Sequence, residues 1–91
     1  MTTEKSNNDG TMLADGFEDA IIGLDASSEV FRVIYDKEKM IDILVQRDEM
    51  TTEDAIEYLE YNVWGAYVGE GTPIYAYEGN HDRILEYMSQ L

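Results

Sequence analysis

Apolar residues gather first in two short runs. Ile21, Ile22 and Leu24 fall within residues 19–24, and Val30, Phe31, Val33, Ile34 and Tyr35 within residues 29–35. The polar stretch Asp25-Ala26-Ser27-Ser28 separates them. Runs rich in β-branched and aromatic residues around a polar turn predict a β-hairpin. The period then changes. Asp36 can cap a helix beginning at Lys37, in which Met40, Ile41, Ile43, Leu44 and Val45 cover a wide arc. Such an arc places the helix largely within the core. Thr51-Thr52-Glu53-Asp54 fits a second helix start, with Thr51 as N-cap and Asp54 at the third helical position. Ala55, Ile56, Leu59 and Val63 form its buried stripe, and Gly65 and Gly69 bracket its end. Gly69-Glu70-Gly71-Thr72-Pro73 reads as a turn, and Ile74-Tyr75-Ala76-Tyr77 as a strand that joins the hairpin. Asn80 can cap a last helix from His81 to about Gln90, with Ile84, Leu85, Met88 and Leu91 at helical spacing.

The expected fold is therefore α+β, in the order ββααβα. A small three-stranded antiparallel sheet is packed by two central helices and a C-terminal helix. Residues 1–15 are polar, rich in Asn, Ser, Thr, Asp and Gly, and are expected to form a flexible tail before one globular domain over residues 16–91. Without cysteine the chain forms no disulfide or thiolate zinc site, so stability rests on packing or self-association, and a homodimer is compatible with its size. The N-terminus lacks the apolar run of a signal peptide, and no stretch is apolar enough to span a bilayer. The expected location is the cytoplasm.

Charge changes the picture. Twenty acidic residues stand against six basic ones, a net charge of −14, well beyond what keeps a small domain soluble. Direct binding to nucleic acid or to an anionic membrane is disfavoured, and a protein with a basic surface is the favoured partner. The charge is also concentrated. Between Arg47 and Arg83 there is no Lys or Arg, but there are Asp48, Glu49, Glu53, Asp54, Glu57, Glu60, Glu70, Glu78 and Asp82, together with Tyr58, Tyr61, Trp64, Tyr67, Tyr75 and Tyr77. Glu53 and Asp54 have a local reason, since the first turn of a helix favours acids. Glu57 and Glu60 do not: they extend a line from Glu53 whose neighbours repel by a few tenths of a kcal/mol per pair. Beside them Tyr58 and Tyr61 fall on the polar side of the helix. Glu53, Asp54, Glu57, Tyr58, Glu60 and Tyr61 are accordingly the candidate partner-binding residues.

Catalytic chemistry is not specified. His81 is the only histidine and has no cysteine to work with. Lys5-Ser6-Asn7-Asn8-Asp9-Gly10 departs from a calcium-binding loop by placing Lys at the first ligand position and Gly16 where the bidentate Glu belongs. Gly69-Glu70-Gly71 puts a carboxylate where a phosphate loop needs room for an anion. No catalytic, metal or cofactor-binding residue is therefore expected, and no cofactor.

Several segments carry a resemblance: Asp19-Ala20-Ile21-Ile22-Gly23, the stretch Tyr35-Asp36-Lys37-Glu38-Lys39-Met40-Ile41-Asp42-Ile43-Leu44, Met50-Thr51-Thr52-Glu53-Asp54-Ala55, and above all Glu60-Tyr61-Asn62-Val63-Trp64-Gly65-Ala66-Tyr67-Val68-Gly69-Glu70-Gly71-Thr72-Pro73-Ile74. Over roughly residues 17–77 the chain resembles a small family of proteins encoded by phages and prophages. The resemblance implies a viral origin and brings no activity or catalytic residue with it. Three readings follow. The first is a non-enzymatic binding or assembly module with an acidic, tyrosine-rich surface. The second is a DNA mimic that occupies the basic surface of a host nucleic-acid-binding protein. The third, a metal-dependent enzyme subunit, requires a metal or a partner subunit to complete its site.

Overall fold

The computed structural model describes residues 10–90 of the chain. A 3₁₀ turn, Glu18–Ala20, leads into β1 (Ile21–Asp25) and β2 (Arg32–Asp36). Then come α1 (Lys37–Arg47), α2 (Thr52–Leu59), a π-helical turn (Glu60–Trp64), β3 (Ile74–Ala76) and α3 (His81–Met88). The class is α+β with a three-stranded sheet in the order β1-β2-β3. The 3₁₀ and π-helical turns are additions to the expected order.

All three α-helix starts form by the mechanism their residues suggest. The Asp36 carboxylate accepts from the backbone N–H groups of Glu38 and Lys39, the Thr51 hydroxyl from that of Asp54, and the Asn80 side-chain oxygen from that of Arg83. Each satisfies donors that the first helical turn leaves without a partner. The α1 helix closes on Glu49, which takes the left-handed conformation at φ 58°.

The sheet departs from expectation. β1 and β2 pair antiparallel, with a bulge between Ile21 and Gly23, but β3 pairs parallel to β2 through Ile34–Ile74, Tyr35–Tyr75 and Asp36–Ala76. The sheet is mixed rather than antiparallel. A tight turn can only reverse a strand, whereas the β2–β3 connection over residues 37–73 contains two helices and is long enough to return the chain to the end of the sheet where β2 began. The register stacks Tyr75 beside Tyr35, with ring centroids 5.9 Å apart.

Phe17, Ala20, Val33, Tyr35, Met40, Leu44, Ala55 and Leu59 form the core, with Ile41, Ile43, Val45, Met50, Val63, Trp64 and Tyr75 packed partly buried against it. The α3 helix contributes no buried residue, and Leu85 and Met88 remain exposed. Its attachments include the Arg83–Glu38 ion pair at 2.8 Å and the stacked rings of Tyr77 and Tyr87. Leu91 lies outside the described residues.

Residues 11–14, expected within the flexible tail, form a strap along the sheet. The Thr11 hydroxyl donates to the Phe31 carbonyl (2.8 Å), Met12 N–H to the Gly71 carbonyl (3.1 Å), and Ala14 N–H to the Tyr35 hydroxyl (2.8 Å). The expectation for residues 1–9 lies outside the described residues. Strap and core meet at Tyr35. Burial pushes its phenol pKa up, and the carboxylates of Glu18 and Asp15 add to that, while the Ala14 N–H hydrogen bond opposes them. Burial raises Tyr75 in the same direction. A phenol whose folded pKa exceeds its unfolded value of about 10 contributes stability that is complete below pH ~10 and lost as pH rises through the folded pKa. Urea midpoints are therefore expected to hold steady between about pH 7 and 9.5 and to fall above pH ~10. Tyr35→Phe should soften that alkaline fall while costing about 1 kcal/mol at neutral pH, because Ala14 N–H loses its acceptor. An unchanged alkaline limb in Tyr35→Phe would assign the fall to other groups.

Candidate functional site

The α2 helix presents its sides unequally. Ala55 and Leu59 are buried and Ile56 is partly buried, while Glu53, Asp54, Glu57, Tyr58, Glu60 and Tyr61 are all exposed, Tyr58 at 43% and Tyr61 at 80%. The six candidate residues thus lie together on the outer side of one element and its continuation.

That continuation is not the α-helix expected to end between Gly65 and Gly69. Beyond Leu59 the chain makes a π-helical turn, Glu60–Trp64, closed at Gly65. The reason lies in Trp64. An α-helical path would carry it about 140° round the axis from Leu59 and onto the acidic side. A turn closed between residues five apart brings it back over Leu59 and onto the core. There its indole N–H donates to the Met40 sulfur at 3.4 Å, and the Lys37 ammonium sits 4.1 Å from the ring centroid. The same turn leaves Tyr61 pointing outward. Asn62 Nδ2 donates back to the Tyr58 carbonyl at 3.0 Å, a side-chain clasp across the junction of the two helical forms.

The described Lys and Arg side chains are engaged elsewhere. Lys39 lies 3.7 Å from Glu78, Arg47 lies 3.1 Å from Asp48, and Arg83 pairs with Glu38. Arg32 Nε donates to the Thr72 carbonyl at 2.6 Å, and Lys37 lies over Trp64 and Tyr77. Among the described residues, no Lys or Arg forms an ion pair with Glu53, Asp54, Glu57 or Glu60. Among the described residues, then, nothing pairs with the negative charge of the α2 carboxylates. Two hydrogen bonds from Arg47 hold the Asp48 carboxyl below the usual carboxylate range.

The other acids of the interval are spread out. Glu70 and Glu78 lie in connections and Asp82 opens α3. Within the described residues no group of three or more His, Cys, Asp or Glu side chains converges on a metal position, and no helix is long and apolar enough to cross a membrane. His81 is exposed and lies 3.5 Å from Asp82.

Sequence reasoning missed Met12, Leu13 and Val68, which stand exposed around a hollow beside Tyr58. The signal for the first two was an apolar pair inside an otherwise polar stretch. Comparison with protein-family models, curated proteins and solved structures finds no match.

Proposed function

We propose that this chain is a small, non-enzymatic, acidic interaction protein of phage type that holds a basic protein surface against α2 and the π-helical turn. The observation that carries the reading is the outer side of α2. Four exposed carboxylates and two exposed tyrosines occupy it, and no described cation pairs with those acids. The first helical turn accounts for Glu53 and Asp54, but helix stability gives no reason for Glu57 and Glu60, which extend the line and repel their neighbours. A complementary partner supplies one: its cations relieve the repulsion, and the tyrosines offer contact area with few rotamers to freeze.

The test is affinity capture from a bacterial lysate at about 0.05 M and about 0.5 M NaCl, with the wild-type chain and the triple variant Glu53→Gln/Glu57→Gln/Glu60→Gln. Gln keeps the length of Glu, and the repulsion it relieves offsets the loss of the first-turn acid Glu53, so the variant should fold with a stability within about 1 kcal/mol of the parent. A partner is expected at low salt, with at least tenfold less on the variant and at high salt. Equal capture by both chains sinks the proposal.

The line of exposed acids also favours the second reading, DNA mimicry. At about 1.5 Å per residue, Glu53 to Glu60 covers about 10 Å of helix axis, the rise of about three phosphates on one strand. A homodimer would double the line. Duplex DNA should displace the captured partner if the α2 carboxylates stand in for phosphates; a partner indifferent to DNA leaves the first reading alone.

A further inference from the structure

A hollow of about 270 Å³ lies against the Tyr58 shoulder of α2. Phe17 and Tyr75, the first buried and the second partly so, line its inner part, and the exposed side chains of Leu13, Tyr58 and Val68 surround its mouth. Scattered exposed apolar residues are ordinary on a protein surface. Here they converge, and their backbones are pinned. Leu13 stands between Met12, held to the Gly71 carbonyl, and Ala14, held to the Tyr35 hydroxyl. Val68 N–H donates to the Thr72 hydroxyl at 2.9 Å, and Asn62 clasps the Tyr58 carbonyl. Ordering such a site on binding costs little, because its walls are already placed.

Charge selects the occupant. Among the described residues no Lys or Arg lines the hollow and Asp15 is the charged one that does, while Asp54 and Glu57 lie beside Tyr58 on α2. Arg47 lies 5.6 Å from the Phe17 ring, but its guanidinium is committed to Asp48 and to the Gly16 carbonyl. The described lining is thus mixed, with Phe17, Val63, Pro73 and Tyr75 giving it apolar walls and Asp15 and Asn62 a polar edge, and the neighbouring α2 charges are negative. A space of this size is small for a drug-like ligand and ample for one leucine or phenylalanine side chain.

We infer that the hollow bounded by Leu13, Tyr58 and Val68 is the anchor pocket for one large apolar side chain carried on a basic peptide segment of the partner. This rests on the proposed function: the α2 acids would attract the segment, and the hollow would fix its register. Interfaces gain most of their affinity from such a central anchor rather than from charges at the rim.

The test uses the full chain, labelled with ¹⁵N, and two synthetic peptides of equal length and equal lysine content. One carries leucines one helical turn apart, and the other carries serine in their place. At about 0.1 M salt the leucine peptide should bind about tenfold to hundredfold more tightly, as burial of one leucine side chain implies. It should shift the amides of Leu13, Tyr58 and Val68. Leu13→Ser/Val68→Ser changes side chains that are 60% and 56% exposed, so the fold should survive. This variant is expected to bring the leucine peptide down to the serine peptide's affinity while leaving the serine peptide unchanged. Equal binding of the two peptides by the wild-type chain overturns the anchor and leaves the acidic surface standing. Failure of both peptides to bind overturns the acidic surface as well. Shifts confined to Leu85 and Met88 on α3 move the site elsewhere and overturn the anchor. Shifts at the hollow that follow protein concentration without peptide assign it to a second copy of this chain, which also overturns the anchor.

Discussion

Leu59→Ala is expected to lower the unfolding free energy by about 3 kcal/mol, within the range of about 2–5 kcal/mol for removing a buried leucine side chain. Leu59 is fully buried at the end of α2, within the core cluster that includes Phe17, Tyr35, Met40, Leu44 and Ala55. It is also where the α-helix gives way to the π-helical turn. A cavity there removes both the contact that holds α2 down and the neighbour over which Trp64 returns. For a domain of this size about 3 kcal/mol corresponds to a fall in Tm of about 12–24 °C, a large share of a total stability of about 5–15 kcal/mol. The only tryptophan should report it, as Trp64 emission moves towards that of exposed indole. Leu85→Ala on the exposed face of α3 is the control, with an expected change within about 0.5 kcal/mol. Similar losses in the two variants would mean that α2 is not seated as described.

Gly71→Ala is expected to cost about 2–3 kcal/mol by a different route, through the loss of strap hydrogen bonds worth about 0.5–1.5 kcal/mol each. A Cβ at Gly71 would overlap the Gly10 carbonyl and crowd the Thr11 Cα. Both are backbone, so no rotamer change relieves the overlap and the strap must lift. Lifting it breaks the Met12–Gly71 and Thr11–Phe31 hydrogen bonds and strains the Ala14–Tyr35 contact. Urea unfolding measures the loss, and faster hydrogen exchange at Ala14 together with new protease cleavage at residues 10–17 locates it. Gly69→Ala separates sterics from conformation. Gly69 has φ +134°, and a Cβ there would meet nothing within 4 Å, so that variant bears backbone strain of about 1–3 kcal/mol but leaves the strap seated. Equal protection of Ala14 in the Gly71→Ala and wild-type chains would refute the close approach.

The two glycines show how far composition could be read. Gly69-Glu70-Gly71-Thr72-Pro73 is recognisable as a turn, and Gly69 does supply the positive φ that a turn uses. Gly71 is glycine because another segment, about sixty residues away in sequence, crosses it, and no local rule reports that. The same division runs through the candidate surface. Helical spacing placed Glu53, Asp54, Glu57, Tyr58, Glu60 and Tyr61 on the polar side of a helix, and all six are exposed. That none of the described cations pairs with their carboxylates depends on where Lys37, Lys39, Arg47 and Arg83 end up, which is a matter of packing.

Features whose partners lie within about one helical turn could be read directly from the order of residues. Asp36, Thr51 and Asn80 start helices because a side-chain oxygen meets an N–H two or three residues on. Met40 with Leu44, and Ala55 with Leu59, share a buried side because residues four apart lie over one another. Features with distant partners were settled by packing. β3 runs parallel to β2 because the two-helix connection returns to the end where β2 began. Residues 11–14 became a strap because Phe31, Tyr35 and Gly71 offer them hydrogen-bond acceptors. The turn after Leu59 is π-helical because Trp64 finds Met40 on the core side. Local hydrogen bonding and side-chain period are written in short intervals of the chain; pairing direction, close approach and counter-charge depend on residues that only folding brings together.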